Sequence, residues 1–281
     1  LPPYQTATWL CAPAQSCDVL SPIRKPQYDS RMPPGLDLED QEHYRHALEA
    51  HFIPRAQGGE TMAPDSNIWY FTGREQALRE ICLWLRQDQP NPRLLVVTGG
   101  PGMGKSALLG RLVTLADPDI RDQPLAQTPL REDTIPPPNA FHAAIHLRNL
   151  QIRQVADLLT ATLALPPLDP KLLDAYDLGI ALGQQLAKRK EPACLLFDAL
   201  DEAADPKPLW RSLLQPLSTI PHVRLVIGAR PLFEWGTAKL IDLNDARYLG
   251  ETDVEDYIAR RLLAEEEPDR RTACRRQPEV A

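Results

Sequence analysis

The sequence predicts an α/β fold in which a parallel sheet is wound on both sides by helices. Three observations carry that expectation. Strand-like apolar runs alternate with helix-spaced segments from residue 69 onward. The run Leu94-Leu95-Val96-Val97 is apolar without alternation, as in a strand covered on both faces. That run passes directly into a glycine-rich loop and then into a helix-spaced segment. A chain of 281 residues is long enough for one large α/β domain with flanking pieces.

In chain order, residues 1–36 hold seven prolines and few periodic apolar positions, and read as a connector or the end of an upstream domain. Residues 37–68 read as a linker with a short helix over 37–51 that stops before Pro54, followed by loop chemistry around Gly58, Gly59 and Pro64. The organised core spans 69–250. It opens with a helix over 74–86, where Ala77, Leu78, Ile81, Trp84 and Leu85 share one face. After the Leu94 strand, a helix is expected over 106–115. The segment 117–138, with five prolines after Pro118, reads as a surface insertion. Further strands are expected at 141–147, 193–197, 223–227 and 239–243, with helices at 151–164, 171–189 and 207–218. Residues 251–264 have helical spacing through Val254, Ile258 and Leu262, and 265–281 form a polar tail. No internal repeat appears, which excludes a solenoid or propeller in this piece.

The loop Gly99-Gly100-Pro101-Gly102-Met103-Gly104-Lys105-Ser106 satisfies the spacing glycine, four residues, Gly-Lys-Ser. Glycines let successive backbone N–H groups converge on an anion, and the helix that follows points its N-terminus at the same place. In that arrangement Lys105 meets the outer phosphates, the Ser106 hydroxyl ligates Mg²⁺, and Ala107 opens the helix beneath. Met103 and Pro101 fill the variable positions of the cradle.

A second signal is the strand Cys194-Leu195-Leu196-Phe197 ending in Asp198, with Asp201 and Glu202 three and four residues on. An acidic strand beside the loop's strand is expected to set Asp198 near the magnesium. Glu202 or Asp201 then orients or deprotonates the attacking water, Glu202 being preferred although spacing does not separate the two. Arg230 follows the 223–227 strand, placed to sense the γ-phosphate. Gly73 and Arg74 precede the first helix, where adenine and ribose would lie. His142 and His146 share a face of the 141–147 strand. No Cys, Asp or Glu stands near them at ligand spacing in sequence, so a strand surface is favoured over a metal site.

Together these segments resemble the STAND class of signalling ATPases, most closely its bacterial NACHT-type and AAA-like modules. The resemblance runs from Tyr70-Phe71-Thr72-Gly73-Arg74-Glu75 through the loop to the Phe197-to-Glu202 acidic motif and Gly228-Ala229-Arg230-Pro231, and it covers residues 69–264. It implies a P-loop NTPase sheet ordered 5-1-4-3-2 and the start of a helical lid at 251–264. It also implies binding of ATP, ADP and Mg²⁺, slow hydrolysis used as a switch, and a homo-oligomer when activated. Such proteins carry an effector module upstream and sensor repeats downstream. Residues 51–58 resemble the joint after N-terminal effector modules in actinobacterial relatives. The alternative is an AAA-like nucleic-acid remodeller or loader, and a scaffold without turnover is a third reading that Asp198, Asp201 and Glu202 argue against.

A net charge of −7 and a pI of about 5.4 speak against nucleic acid as the main partner. No apolar run reaches the ~20 residues of a membrane span. The five cysteines form no CxxC pair and read as ordinary thiols of a cytoplasmic protein. The chain opens on Leu1 without a signal peptide and reads as part of a longer protein.

Overall fold

A computed structural model describes residues 48–58, 69–127, 130–172, 174–189, 191–250 and 252–263. The expected connector at 1–36, the helix over 37–47, the loop at 59–68 and the polar tail at 265–281 lie outside the described residues.

Five parallel strands form one sheet: β1 Leu94–Thr98, β2 Ala143–His146, β3 Ala193–Asp198, β4 Val223–Gly228 and β5 Lys239–Asp242. Their order is β2-β3-β4-β1-β5, the same as 5-1-4-3-2 read from the other edge. The acidic strand therefore does not lie beside the loop's strand, as expected from its sequence. β4 stands between them, pairing Val97 with Gly228 on one side and Phe197 with Ile227 on the other. Strand ends are written in local sequence, whereas lateral order is set by crossovers that can skip a position.

Alternation along the buried strands feeds two cores. Val96, Ile145, Leu195, Phe197, Leu225 and Ile227 face one side, where helices Ile152–Thr162 and Ala175–Lys188 and the run Pro206–Pro208, Leu209–Leu214 and Gln215–Leu217 cover them. Leu95, Val97, Ala144, Leu196, Val226 and Ile241 face the other, covered by helices Glu75–Leu85 and Lys105–Ala116. Continuous apolar strand sequence is the consequence of this two-sided burial.

Three expectations about helices need correction. Helical structure does not stop before Pro54: a π-helical turn Leu48–Phe52 leads into helix Ile53–Gln57, with Pro54 in its first turn. Proline has no N–H to donate back to the preceding turn, and the wider π-helical turn lies directly ahead of it. Gly58, at φ +88°, ends the helix in the left-handed region. The 117–138 segment is not all loop, since Asp122–Gln127 is helical and Glu132–Thr134 forms a 3₁₀ turn. The helix expected at 207–218 widens into a π-helical stretch over Leu209–Leu214, immediately before Pro216. The Ser212 carbonyl, four residues before Pro216, which has no N–H to donate to it, stands against Gly179, where a Cβ would collide with it.

Residues 48–58 form a strap across the helix Lys105–Ala116. Phe52 and Ala56 are fully buried. A Cβ on Gly110 would lie 2.5 Å from the Phe52 carbonyl oxygen and 3.1 Å from the Ala56 nitrogen, so the close crossing depends on that glycine.

Candidate functional site

The site lies at the C-terminal ends of the strands, where α/β sheets place their ligands. β1 runs into the glycine loop, and the helix Lys105–Ala116 starts from Gly104. Gly102 and Gly104 hold φ +74° and +83°, and a Cβ on either would meet nothing within 4 Å. They are required for backbone conformation and not for space. The Lys105 ammonium donates to the Gly99 and Gly100 carbonyls, each at 2.9 Å. Burial lowers its pKa, Asp201 opposes the shift, and Arg230 adds to it. The Gly100 amide donates to Asn244 Oδ1 at 3.1 Å.

Across β4 stands the acidic wall. Asp198 is 1% exposed at the end of β3, and its Oδ1 accepts from the Ala199 amide at 2.9 Å. Ala199 sits at φ +58°, a turn that leads into the 3₁₀ turn Leu200–Glu202 and presents Asp201 and Glu202 in succession. A Cβ on Gly228 would come within 2.5 Å of Leu109 Cδ1 and 2.6 Å of Asp198 Oδ1. Unlike Gly102 and Gly104, this glycine is required for space. Asp201 accepts from the Arg230 backbone amide and pairs with Arg230 Nε, both at 3.0 Å, with its side chain only 6% exposed. Glu202 is 41% exposed, with Arg148 Nε at 3.7 Å and the outer Arg230 nitrogen at 3.9 Å.

The remaining walls come from either end of the core. Arg74, in the left-handed region at φ 57°, sends its guanidinium to three carbonyls: Leu243 and Tyr248 at 3.1 Å and Met103 at 3.0 Å. It thus ties the loop to the segment after β5. Its backbone amide donates to Asp253 at the start of the helix Asp253–Leu263, and Tyr257 of that helix donates to the Gly58 carbonyl at 2.7 Å. A Cβ on Gly73 would collide with the Asp253 carboxylate.

From the strap, His51 Nε2 lies 2.9 Å from Asp198 Oδ2, and the His51 ring stacks on His146 at 3.5 Å and 8°. Because β2 pairs with β3 so that His146 stands opposite Asp198, a carboxylate does reach the histidine strand, contrary to the expectation from sequence spacing. Burial, reinforced by His51, pushes His146 down to about 4. His142 is separate: its Nδ1 accepts from the Cys194 amide at 3.0 Å. His51, His146 and Asp198 bring their ligand atoms within 4.8 Å of one another. The two rings are parallel, however, so their in-plane lone pairs do not converge. A shared ion would sit half the 3.5 Å spacing out of each plane, so a bond of about 2.1 Å would be steeply inclined to each ring and far from its in-plane lone pair.

These walls enclose a cavity of about 570 Å³. It brings together Pro101 to Ala107, Arg74, Asp198, Asp201, Glu202 and Arg230. Gly73, Gly99 and Gly100 do not line it. Sequence reasoning missed Arg55, Gly58, Leu249, Asp253 and Tyr257, which also line it, and His51 behind Asp198. Oxygen donors from Ser106 and Asp198 on one cleft, with an open glycine cradle between lysine and acid, fit a magnesium–nucleotide complex.

Fold and site define a P-loop nucleoside triphosphatase. Residues 70–227, more than half of the chain, match the AAA ATPase domain, and the chain belongs to that family. It is similar at low identity to a chain in each of two solved structures of Drosophila ORC bound to DNA and Cdc6. In the structure of ORC bound to GC-rich DNA and Cdc6, identity is 14% over 74% of this chain and 81% of that chain, with a TM-score of 0.35. In the AT-rich DNA complex it is 14% over 74% and 79%, with a TM-score of 0.34. No curated protein matches the chain. Among the described residues no helix is long and apolar enough to cross a membrane.

Proposed function

We propose that this domain binds ATP with Mg²⁺ and hydrolyses it slowly, as a STAND-type switch coupling nucleotide state to self-association or effector control. The observation that carries the proposal is that one cleft collects the cradle, the acids and Arg230 while two segments beyond the sheet, the strap and the helix Asp253–Leu263, supply its other walls. A ligand shifts a conformation only by contacting its states differently, and walls borne on such segments offer that difference.

In this reading the amides of residues 99–107 cradle the phosphates, Lys105 neutralises the outer ones, and Ser106 and Asp198 hold the magnesium. The metal, when bound, would neutralise charge on the phosphates. Gly73 and Arg74 shape the nucleotide end through the contacts of their turn. Glu202 is the better base: both Asp201 oxygens are engaged by Arg230, whereas the Glu202 carboxylate is more open to the cleft. Asp201 then positions Arg230 toward the γ-phosphate.

Lys105→Ala is expected to remove binding of a fluorescent ATP analogue. Glu202→Gln is expected to retain binding while lowering turnover at least about a hundredfold, the scale of general-base catalysis. Normal hydrolysis by Glu202→Gln would reject the base assignment. ATPase stimulation by duplex DNA, lost at high salt, would replace the switch with the remodeller or loader.

A further inference from the structure

His51 lies outside the residues that match the AAA ATPase domain, yet it touches the most buried carboxylate of the site. An ionised carboxylate only accepts, so His51 Nε2 donates to Asp198 Oδ2 while the Ala199 amide donates to Oδ1. The two donors fix the plane of the carboxyl group and leave its remaining lone pairs for the cleft. The imidazole is itself fixed, by stacking on His146 on one side and an edge contact with Phe52, centroids 5.0 Å apart, on the other. Phe52 belongs to the strap whose crossing depends on Gly110. A chain of contacts thus runs from the strap's seat on the loop helix to the orientation of Asp198.

We propose that His51 is a positioning residue for Asp198, so that docking of the 48–58 strap and binding of the magnesium–nucleotide complex are linked. The inference rests on the nucleotide reading above. Because linkage is reciprocal, magnesium–nucleotide favours the docked strap as much as the docked strap favours magnesium–nucleotide. The strap is thereby connected to the state of the site through the His51–Asp198 hydrogen bond in addition to Arg55 and Gly58 on the cleft wall.

The test titrates a fluorescent ATP analogue into the full chain, once with excess Mg²⁺ and once with EDTA, for wild type, His51→Ala and His51→Gln. The ratio of the two affinities isolates the magnesium-dependent part. His51→Ala is expected to lower that ratio about tenfold, the scale for removing a partner that orients a metal ligand. Affinity in EDTA should stay unchanged. His51→Gln, whose amide nitrogen takes the place of Nε2, is expected to restore most of the ratio. Equal losses in Mg²⁺ and EDTA would reduce His51 to a packing residue and overturn the proposal, as would His51→Gln behaving like His51→Ala. If wild type binds no nucleotide in either condition, the nucleotide reading itself fails; normal wild-type binding with an unchanged ratio in His51→Ala sinks only the inference.

Discussion

The strap at 48–58 and the helix Asp253–Leu263 both wall the same cleft from outside the sheet, but they are attached by different physics. The strap is held by apolar burial: Phe52 and Ala56 are fully enclosed, and Gly110 lets backbone meet backbone. The C-terminal helix is held in part by polar contacts, Asp253 accepting from the Arg74 and Gly250 amides and Tyr257 donating to Gly58, while Ile258 is exposed. Burial of a large aromatic side chain is costly to undo, whereas hydrogen bonds are worth about 1 kcal/mol net each. The strap is thus the wall that costs more to undock, the helix the wall that costs less.

Truncating the strap's anchor is the strongest way to break that contrast. Phe52→Ala is expected to cost about 3–5 kcal/mol in urea unfolding, the range for emptying a fully buried aromatic site. A loss below about 1 kcal/mol would mean the strap is no better attached than the helix. On the helix side, Tyr257→Phe is expected to change global stability by no more than about 1 kcal/mol while speeding nucleotide release in stopped flow. A large stability loss there would reverse the assignment. The smallest effect sharpens the contrast from beneath. Cys82 shares the strap's core, and burial pushes its thiol up to about 12. In wild type it should resist maleimide at neutral pH, as mapped by peptide mass spectrometry, and Phe52→Ala should make it reactive. The sign follows from a raised folded-state value: the contribution is whole below the ordinary thiol value of 9.0 and is lost as pH climbs from there toward 12.

The loop was legible because its eight residues are consecutive and its turn is set by local backbone. Strands β1 and β3 were legible for a similar reason, since two-sided burial writes itself as unbroken apolar sequence. What escaped was relational. Residue spacing placed Asp198 beside the loop's strand, and only the resemblance to STAND ATPases implied the order in which β4 intervenes. The His51–Asp198 contact joins residues 147 positions apart and leaves no periodic trace. Arg74 was read as a nucleotide contact from its place before the first helix, whereas its guanidinium is committed to three carbonyls that hold the loop. Proline misled twice, at Pro54 and within 117–138, because its cost depends on its position in a helix turn.

Gly228 has a consequence for the size of whatever the site holds. With β4 interposed, the backbones of β1 and β3 are two strand spacings apart, about 10 Å, and the only residue in the gap at that level presents a hydrogen atom in place of a side chain. The span from loop to acid is therefore a built-in gauge. It keeps the backbone of the loop's strand from closing on that of the acidic strand. A single methyl group at Gly228 would fall against Asp198 and Leu109 together, resetting the gauge and the seat of the loop helix in one step.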